Sequence, residues 1–163
     1  MSTMQDLYQQ IILDHAKDPH GRGLHEVPAG PGHLGHGESH QVNPTCGDEV
    51  TLRVTLGTTT PGGAPVIEDV SWEGQGCSIS QASLSVLTDL VTGREVAEGE
   101  RLGETFRALM SSRGEGLDEE RSDQLEDAVA FAGVSRFPAR IKCALLGWAA
   151  LRDSLARAQA VAA

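Results

Sequence analysis

The stretch EVTLRVTL, residues 49–56, alternates apolar and polar side chains, with Val50, Leu52, Val54 and Leu56 on one side. A period of two marks a strand with one face in a core. A second such run, PVIEDVSWEG (65–74), follows across TTTPGGA (58–64), whose Pro and Gly residues read as a turn. The two runs predict an antiparallel hairpin. A short extended piece at 38–43 adds a third strand on its N-terminal side.

Outward from the hairpin the period changes to that of a helix. After GQGC (74–77), Ile79, Ala82, Val86, Leu87, Leu90 and Val91 form a stripe that stops at Gly93. Leu102, Phe106, Leu109 and Met110 mark a second helix, and SSRGEGLDEERS (111–122) is a solvated break. Leu125, Ala128, Val129 and Ala132 mark a third, ended by Gly133. The run 135–158 is the longest, with Pro138 suited to its first turn. At the other end, Leu7, Tyr8, Ile11, Ile12 and His15 share one helical face, and Asp18-Pro19 closes that helix. Residues 19–38, rich in Gly, Pro and His, read as a loop. The architecture expected is α+β: a small three-stranded antiparallel sheet packed by about five helices, one domain over 1–163.

Bulk properties narrow the function. The formal charge of −10 repels phosphate backbones, so no nucleic-acid partner is expected. No apolar run approaches the roughly 18 residues of a membrane span. The start MSTMQDLYQQ has no basic-then-apolar pattern of a secretory signal, so the expected location is the cytoplasm. The three cysteines, Cys46, Cys77 and Cys143, are an odd number in a reducing compartment. They are buried small residues, reactive thiols or metal ligands.

Each cysteine sits at the edge of an element. Cys46 and Asp48 are two apart, and in extended backbone both would point to one side. Cys77 immediately precedes a helix, whose N–H groups and dipole favour a thiolate. Cys143 lies near the start of the last helix, beside Lys142 and one turn after Arg140, which favours a thiolate again. Three thiolates and a carboxylate suit tetrahedral Zn²⁺, and soft sulfur also suits iron–sulfur chemistry. Against this, no C-x-x-C pair exists, and scattered cysteines are most often buried hydrophobes. All six histidines lie at or before residue 40. His33, His36 and His40 have a spacing that a metal tolerates, but a polar loop that merely carries histidines is the preferred reading. His15 reads as a satisfied, half-buried histidine. There is no P-loop and no dinucleotide-binding glycine pattern, and Cys-His catalysis would need a histidine brought from the first 40 residues.

Four blocks, LYQQIILDHAKDPHGRG (7–23), NPTCGDEVTLRV (43–54), GQGCSISQASLSVL (74–87) and FPARIKCALLGWAAL (137–151), together resemble the SufU branch of the IscU/NifU-N family of iron–sulfur assembly proteins. The resemblance implies a SufE/NifU-like fold and Zn²⁺ held by Cys46, Asp48, Cys77 and Cys143, with iron or an iron–sulfur cluster as the alternative cargo. It implies a zinc-dependent sulfurtransferase that takes persulfide sulfur from a SufS-like cysteine desulfurase, a histidine of which enters the coordination sphere while one ligand lets go. Cys46, on its loop, is the expected acceptor, with Arg140 and Lys142 steadying the thiolate and downstream cluster-assembly proteins as recipients. The alternative is a scaffold on which a cluster is built. IscU-type scaffolds carry a histidine just before the last cysteine. Lys142 stands there in this chain, and the interval from Cys77 to Cys143 is longer, which favours the sulfur acceptor.

Overall fold

The alternation at 50, 52, 54 and 56 sets the central strand. In the computed structural model, which describes residues 3–28 and 32–162, β1 (His33–Asn43), β2 (Asp48–Gly57) and β3 (Val66–Gln75) form an antiparallel sheet in that order. All four alternating residues of β2 are fully buried, as are Ile67 and Trp72 of β3. The free edge of β3 is covered by the chain after the first helix. Gly23 N–H donates to Trp72 O at 2.7 Å, and Trp72 N–H donates to Gly21 O at 2.9 Å. A covered edge cannot template further strand pairing.

The chain has five α-helices: α1 (Thr3–Lys17), α2 (Ser78–Val91), α3 (Val96–Met110), α4 (Glu119–Leu125) and α5 (Pro138–Ala162). Of these, α5, α2 and α3 pack on the sheet, while α1 lies on α2 and α4 on α3. The expected α+β class is what is found. Pro138 opens α5, and Gly93 takes a φ of +88° just past α2. Three of the six aromatics form one cluster, where Phe106 stacks on Trp148 at 4.9 Å and meets Phe131 edge-on at 5.7 Å.

Four expectations need correction. The segment 33–37 is strand, not loop; its neighbours at 29–31 lie outside the described residues. The inward positions of β1 are Gly35, Gly37 and Ser39, while Leu34 and Val42 face solvent. α5 crosses this strand so closely that a Cβ on Gly37 would collide with the backbone at Ser154 and Ala158. An apolar inward side chain therefore has no room there, and the usual strand pattern is absent.

The segment after α4 is a 3-10 helix, Glu126–Arg136, which runs past Gly133. Three residues per turn bring Leu125, Ala128, Phe131 and Val134 to the core at a strict spacing of three. A spacing of 3.6 finds Leu125 and Ala128 but points to half-buried Val129 and Ala132 where the core takes Phe131 and Val134.

α2 is buried around its whole girth rather than along one stripe, from Ser80 to Thr88. Its polar residues are satisfied inside: Ser83 O–H donates to Ala144 O at 2.6 Å, and Thr88 O–H to Leu84 O at 2.8 Å. The apolar face of α1 is buried only towards its end, at His15, with Ile12 and Ala16 packed against the core and Leu7 exposed.

Candidate metal centre

The turn joining β1 to β2 is residues 44–47. Asn43 shapes it: its carbonyl accepts from Gly47 N–H at 2.9 Å, and its side-chain Oδ1 accepts from Thr45 N–H at 3.2 Å. Gly47 has a φ of +75°, which a residue with a Cβ resists. The turn folds exposed Cys46 back over the first residue of β2. Its S–H donates to Asp48 Oδ2 at 2.9 Å. Cys46 and Asp48 do meet, but through this turn rather than through extended backbone.

Asp48 is fully buried. Its other oxygen, Oδ1, accepts from Cys77 N–H at 2.9 Å, so the carboxylate ties β2 to the start of α2. Cys77 is the N-terminal capping residue of α2, and Ser80 O–H donates back to its carbonyl at 3.0 Å. Gly76 is forced by this closeness, since a Cβ there would strike Asp48 Oδ1 and come 2.5 Å from Ser80 Oγ. Sequence reading singled out the thiols and the carboxylate but not Gly76, Ser80 or Asn43. The signal for Gly76 was available in GQGC, whose glycine directly precedes the thiol.

Cys143 reaches the same place from α5. It is buried, and its S–H lies 3.5 Å from Cys46 Sγ and 3.7 Å from Ala139 O. Ligand atoms of Cys46, Asp48 and Cys143 all lie within 4.8 Å of one another. Cys77 Sγ stands at the rim, 4.0 Å from Asp48 Oδ2. A tetrahedral site with Zn–S bonds of 2.3 Å has sulfurs about 3.8 Å apart, so the 3.5 Å between Cys46 and Cys143 fits such an ion. The donor set, three sulfurs and one carboxylate, fits zinc chemically as well.

Two expectations about charge change. Burial, followed by hydrogen bonds with Asp48, Cys46 and Cys77, pushes the Cys143 thiol well above its ordinary range. Arg140 and Lys142 are exposed, and Arg140 places its guanidinium 5.2 Å over the Phe137 ring, with no hydrogen bond to the sulfurs among the described residues. Phe137 and Arg140 border an open groove of about 460 Å³ that Tyr8, Ile12 and Leu13 of α1 and Ile79 of α2 also line. The groove begins one residue beyond Cys77.

His33, His36 and His40 form no shared donor group among the described residues. His33 and His36 stack at 5.8 Å, and His40 Nδ1 is bonded to Thr51 Oγ1 at 2.9 Å. No described helix is long and apolar enough to cross a membrane.

Comparison with known proteins follows the same lines. Residues 7–144 match the NifU-like N-terminal domain. The chain is 35% identical over 159 residues to the zinc-dependent sulfurtransferase SufU of Bacillus subtilis, covering 96% of this chain and 94% of that one. It is also 35% identical over 158 residues to the iron–sulfur cluster assembly scaffold protein IscU of Streptococcus pyogenes, covering 96% and 87%. Among solved structures, a candidate cluster assembly scaffold protein for the SUF system from Fervidobacterium islandicum superposes with a TM-score of 0.68 at 30% identity, covering 93% of this chain and 98% of that one. The fold and these matches place the chain in the SufU/IscU/NifU-N family of iron–sulfur cluster assembly proteins.

Proposed function

We propose that this chain is a zinc-holding sulfur acceptor, in which Cys46, Asp48, Cys77 and Cys143 hold Zn²⁺ and Cys46 receives sulfur from the persulfide of a cysteine desulfurase. The observation that carries the reading is that an exposed thiol, Cys46, is held 2.9 Å from a buried carboxylate and 3.5 Å from a buried thiol. Bound Zn²⁺ would supply the positive charge that keeps the thiols deprotonated and masked from oxidation.

The chain's own residues do the rest. The 44–47 turn presents Cys46 outward, whereas Cys77 and Cys143 are fixed at the starts of helices. Cys46 thiolate attacks the terminal sulfur of the partner's persulfide. A new S–S bond forms on Cys46, the partner's S–S bond breaks, and the partner's cysteine leaves as thiolate. No net oxidation occurs. Arg140, at the mouth of the groove, would meet the negative charge of the incoming persulfide. The groove and exposed Phe137 beside it offer the desulfurase an apolar foothold. Downstream cluster-assembly proteins would take the sulfur on.

Metal analysis combined with a desulfurase assay, with and without chelator, tests this. The purified protein should be colourless with about one zinc per chain, and should stimulate desulfurase turnover until zinc is stripped. Cys46→Ala should abolish the stimulation; stimulation that survives the change refutes Cys46 as acceptor. The second reading is a cluster scaffold, favoured by the equal identity to the Streptococcus pyogenes protein. It requires an oxygen-sensitive coloured cluster on the same residues after anaerobic reconstitution.

A further inference from the structure

We infer that the protein carries a second metal site, for a borderline-soft divalent cation such as Zn²⁺, Co²⁺ or Ni²⁺, formed by His15, His20 and Asp89 with Asp127 beside them. It lies against the C-terminal half of α2, whereas the sulfur centre lies at the N-terminal end.

The geometry is built rather than incidental. His15, at the end of α1, is buried, and its Nδ1 lies 2.7 Å from Oγ of the fully buried Ser85. The same Oγ accepts the backbone N–H of His20 at 2.8 Å, so one hydroxyl positions both histidines. Their rings meet edge-on at 5.2 Å. In this structure Nε2–H donates to Asp127 Oδ2 at 3.3 Å and Nδ1 accepts from the Ser85 hydroxyl. An ion would replace the Nε2 proton, with Nδ1–H then donated to Ser85. Fixing one ring nitrogen by an outer hydrogen bond so that the other faces an ion is the usual arrangement of a metal-binding histidine.

His20 Nδ1 is 2.6 Å from Asp89 Oδ2. Ligand atoms of His15, His20 and Asp89 all lie within 4.8 Å of one another, and a cavity of about 220 Å³ reaches His15, Asp89 and Asp127 over a floor of Val86 and Leu90.

Two imidazoles select against Ca²⁺ and Mg²⁺, which prefer oxygen alone. Two carboxylates balance a divalent charge. The hydrogen bonds that link these groups without an ion occupy the position the ion would take. An ion there would join α1, the chain after it and α2, bracing a helix whose first half is exposed. The site is independent of the sulfur centre and shares no residue with it.

The test uses the full chain, first given one equivalent of Zn²⁺, then titrated with a second while the histidine ring nitrogens are followed by ¹⁵N NMR and bound zinc is counted by equilibrium dialysis. The expected result is one further equivalent, with metal-type shifts at His15 and His20 and none at the other four histidines. His20→Ala, at an exposed position, and Asp89→Asn should each weaken the second equivalent by about tenfold or more, leaving the first untouched. Three outcomes overturn the inference: no second equivalent, shifts at His33, His36 or His40 instead, or unchanged second-site affinity in both variants. If the sulfur centre itself takes no zinc, the count falls by one while the His15 and His20 shifts persist, so the two readings fail separately.

Discussion

The two ends of α2 do different kinds of work. At the N-terminal end, Cys77 is exposed and its backbone N–H is spent on the buried Asp48 carboxylate. At the C-terminal half, Ser85 is buried and its hydroxyl organises His15 and His20. The first end gathers thiols and a carboxylate, the groups that handle sulfur. The second gathers imidazoles and carboxylates, whose hydrogen bonds link the elements even with no ion between them. Substitutions at the first end should therefore change metal content and sulfur transfer with little effect on the metal-free fold. Substitutions at the second should change stability and leave sulfur chemistry intact.

Asp48→Ala gives the largest expected effect. It removes the hard ligand and the acceptor of Cys77 N–H together. Zinc retention against a competing chelator should fall by more than about a hundredfold, beyond what loss of an outer-sphere partner does. Retention within tenfold of the parent would break the comparison at its N-terminal end.

His15→Ala comes next. It leaves a cavity and strips Ser85 of a buried partner, a loss of about 2–3 kcal/mol. For a chain of this size that lowers Tm by about 5–10 °C. Desulfurase stimulation per folded molecule should be unchanged, and a selective loss of stimulation would show that the two ends are coupled.

Gly76→Ala is milder. The added methyl presses on Asp48 Oδ1 and Ser80 Oγ. It should weaken zinc binding by about tenfold, in the range of outer-sphere changes, with Tm of the metal-free chain within a few degrees. Chelator competition and melting curves read the two quantities separately.

The smallest effect serves as a control remote from both ends. Asp118 caps α4 by accepting Arg121 N–H at 2.9 Å, which together with the Arg121 guanidinium holds its carboxyl below the usual range. A folded pKa below the unfolded value stabilises above the unfolded pKa, about 4, and this is lost as pH falls through the folded value. Asp118→Ala should thus lower stability slightly near neutrality, and its curve should converge on the parent's in acid. Zinc content and desulfurase stimulation should not move.

Much of this layout can be read without coordinates, and the exceptions share a cause. β2 shows its role openly because Val50, Leu52, Val54 and Leu56 all enter the core. β1 does not, because its inward residues are Gly35, Gly37 and Ser39, chosen by the closeness of α5. Tertiary spacing overrode local pattern there. The 3-10 segment was legible in principle, since Leu125, Ala128, Phe131 and Val134 recur every third residue. Of the metal centre, the thiols and Asp48 stood out by residue type and by family resemblance. Gly76 and Asn43 act through backbone approach and turn shape, which residue type alone does not announce. The histidine cluster was less visible still. His15 and Asp127 are 112 positions apart, and nothing in either neighbourhood points to the other.

α5 has a use beyond packing. It runs unbroken from Pro138 to Ala162, carrying Cys143 near one tip and passing beneath β1 towards the other. At 1.5 Å per residue, a probe fixed near the far tip sits about 29 Å from that sulfur. Such a probe would serve as a fixed ruler, from which the approach of any docking molecule to the thiols could be measured without touching them.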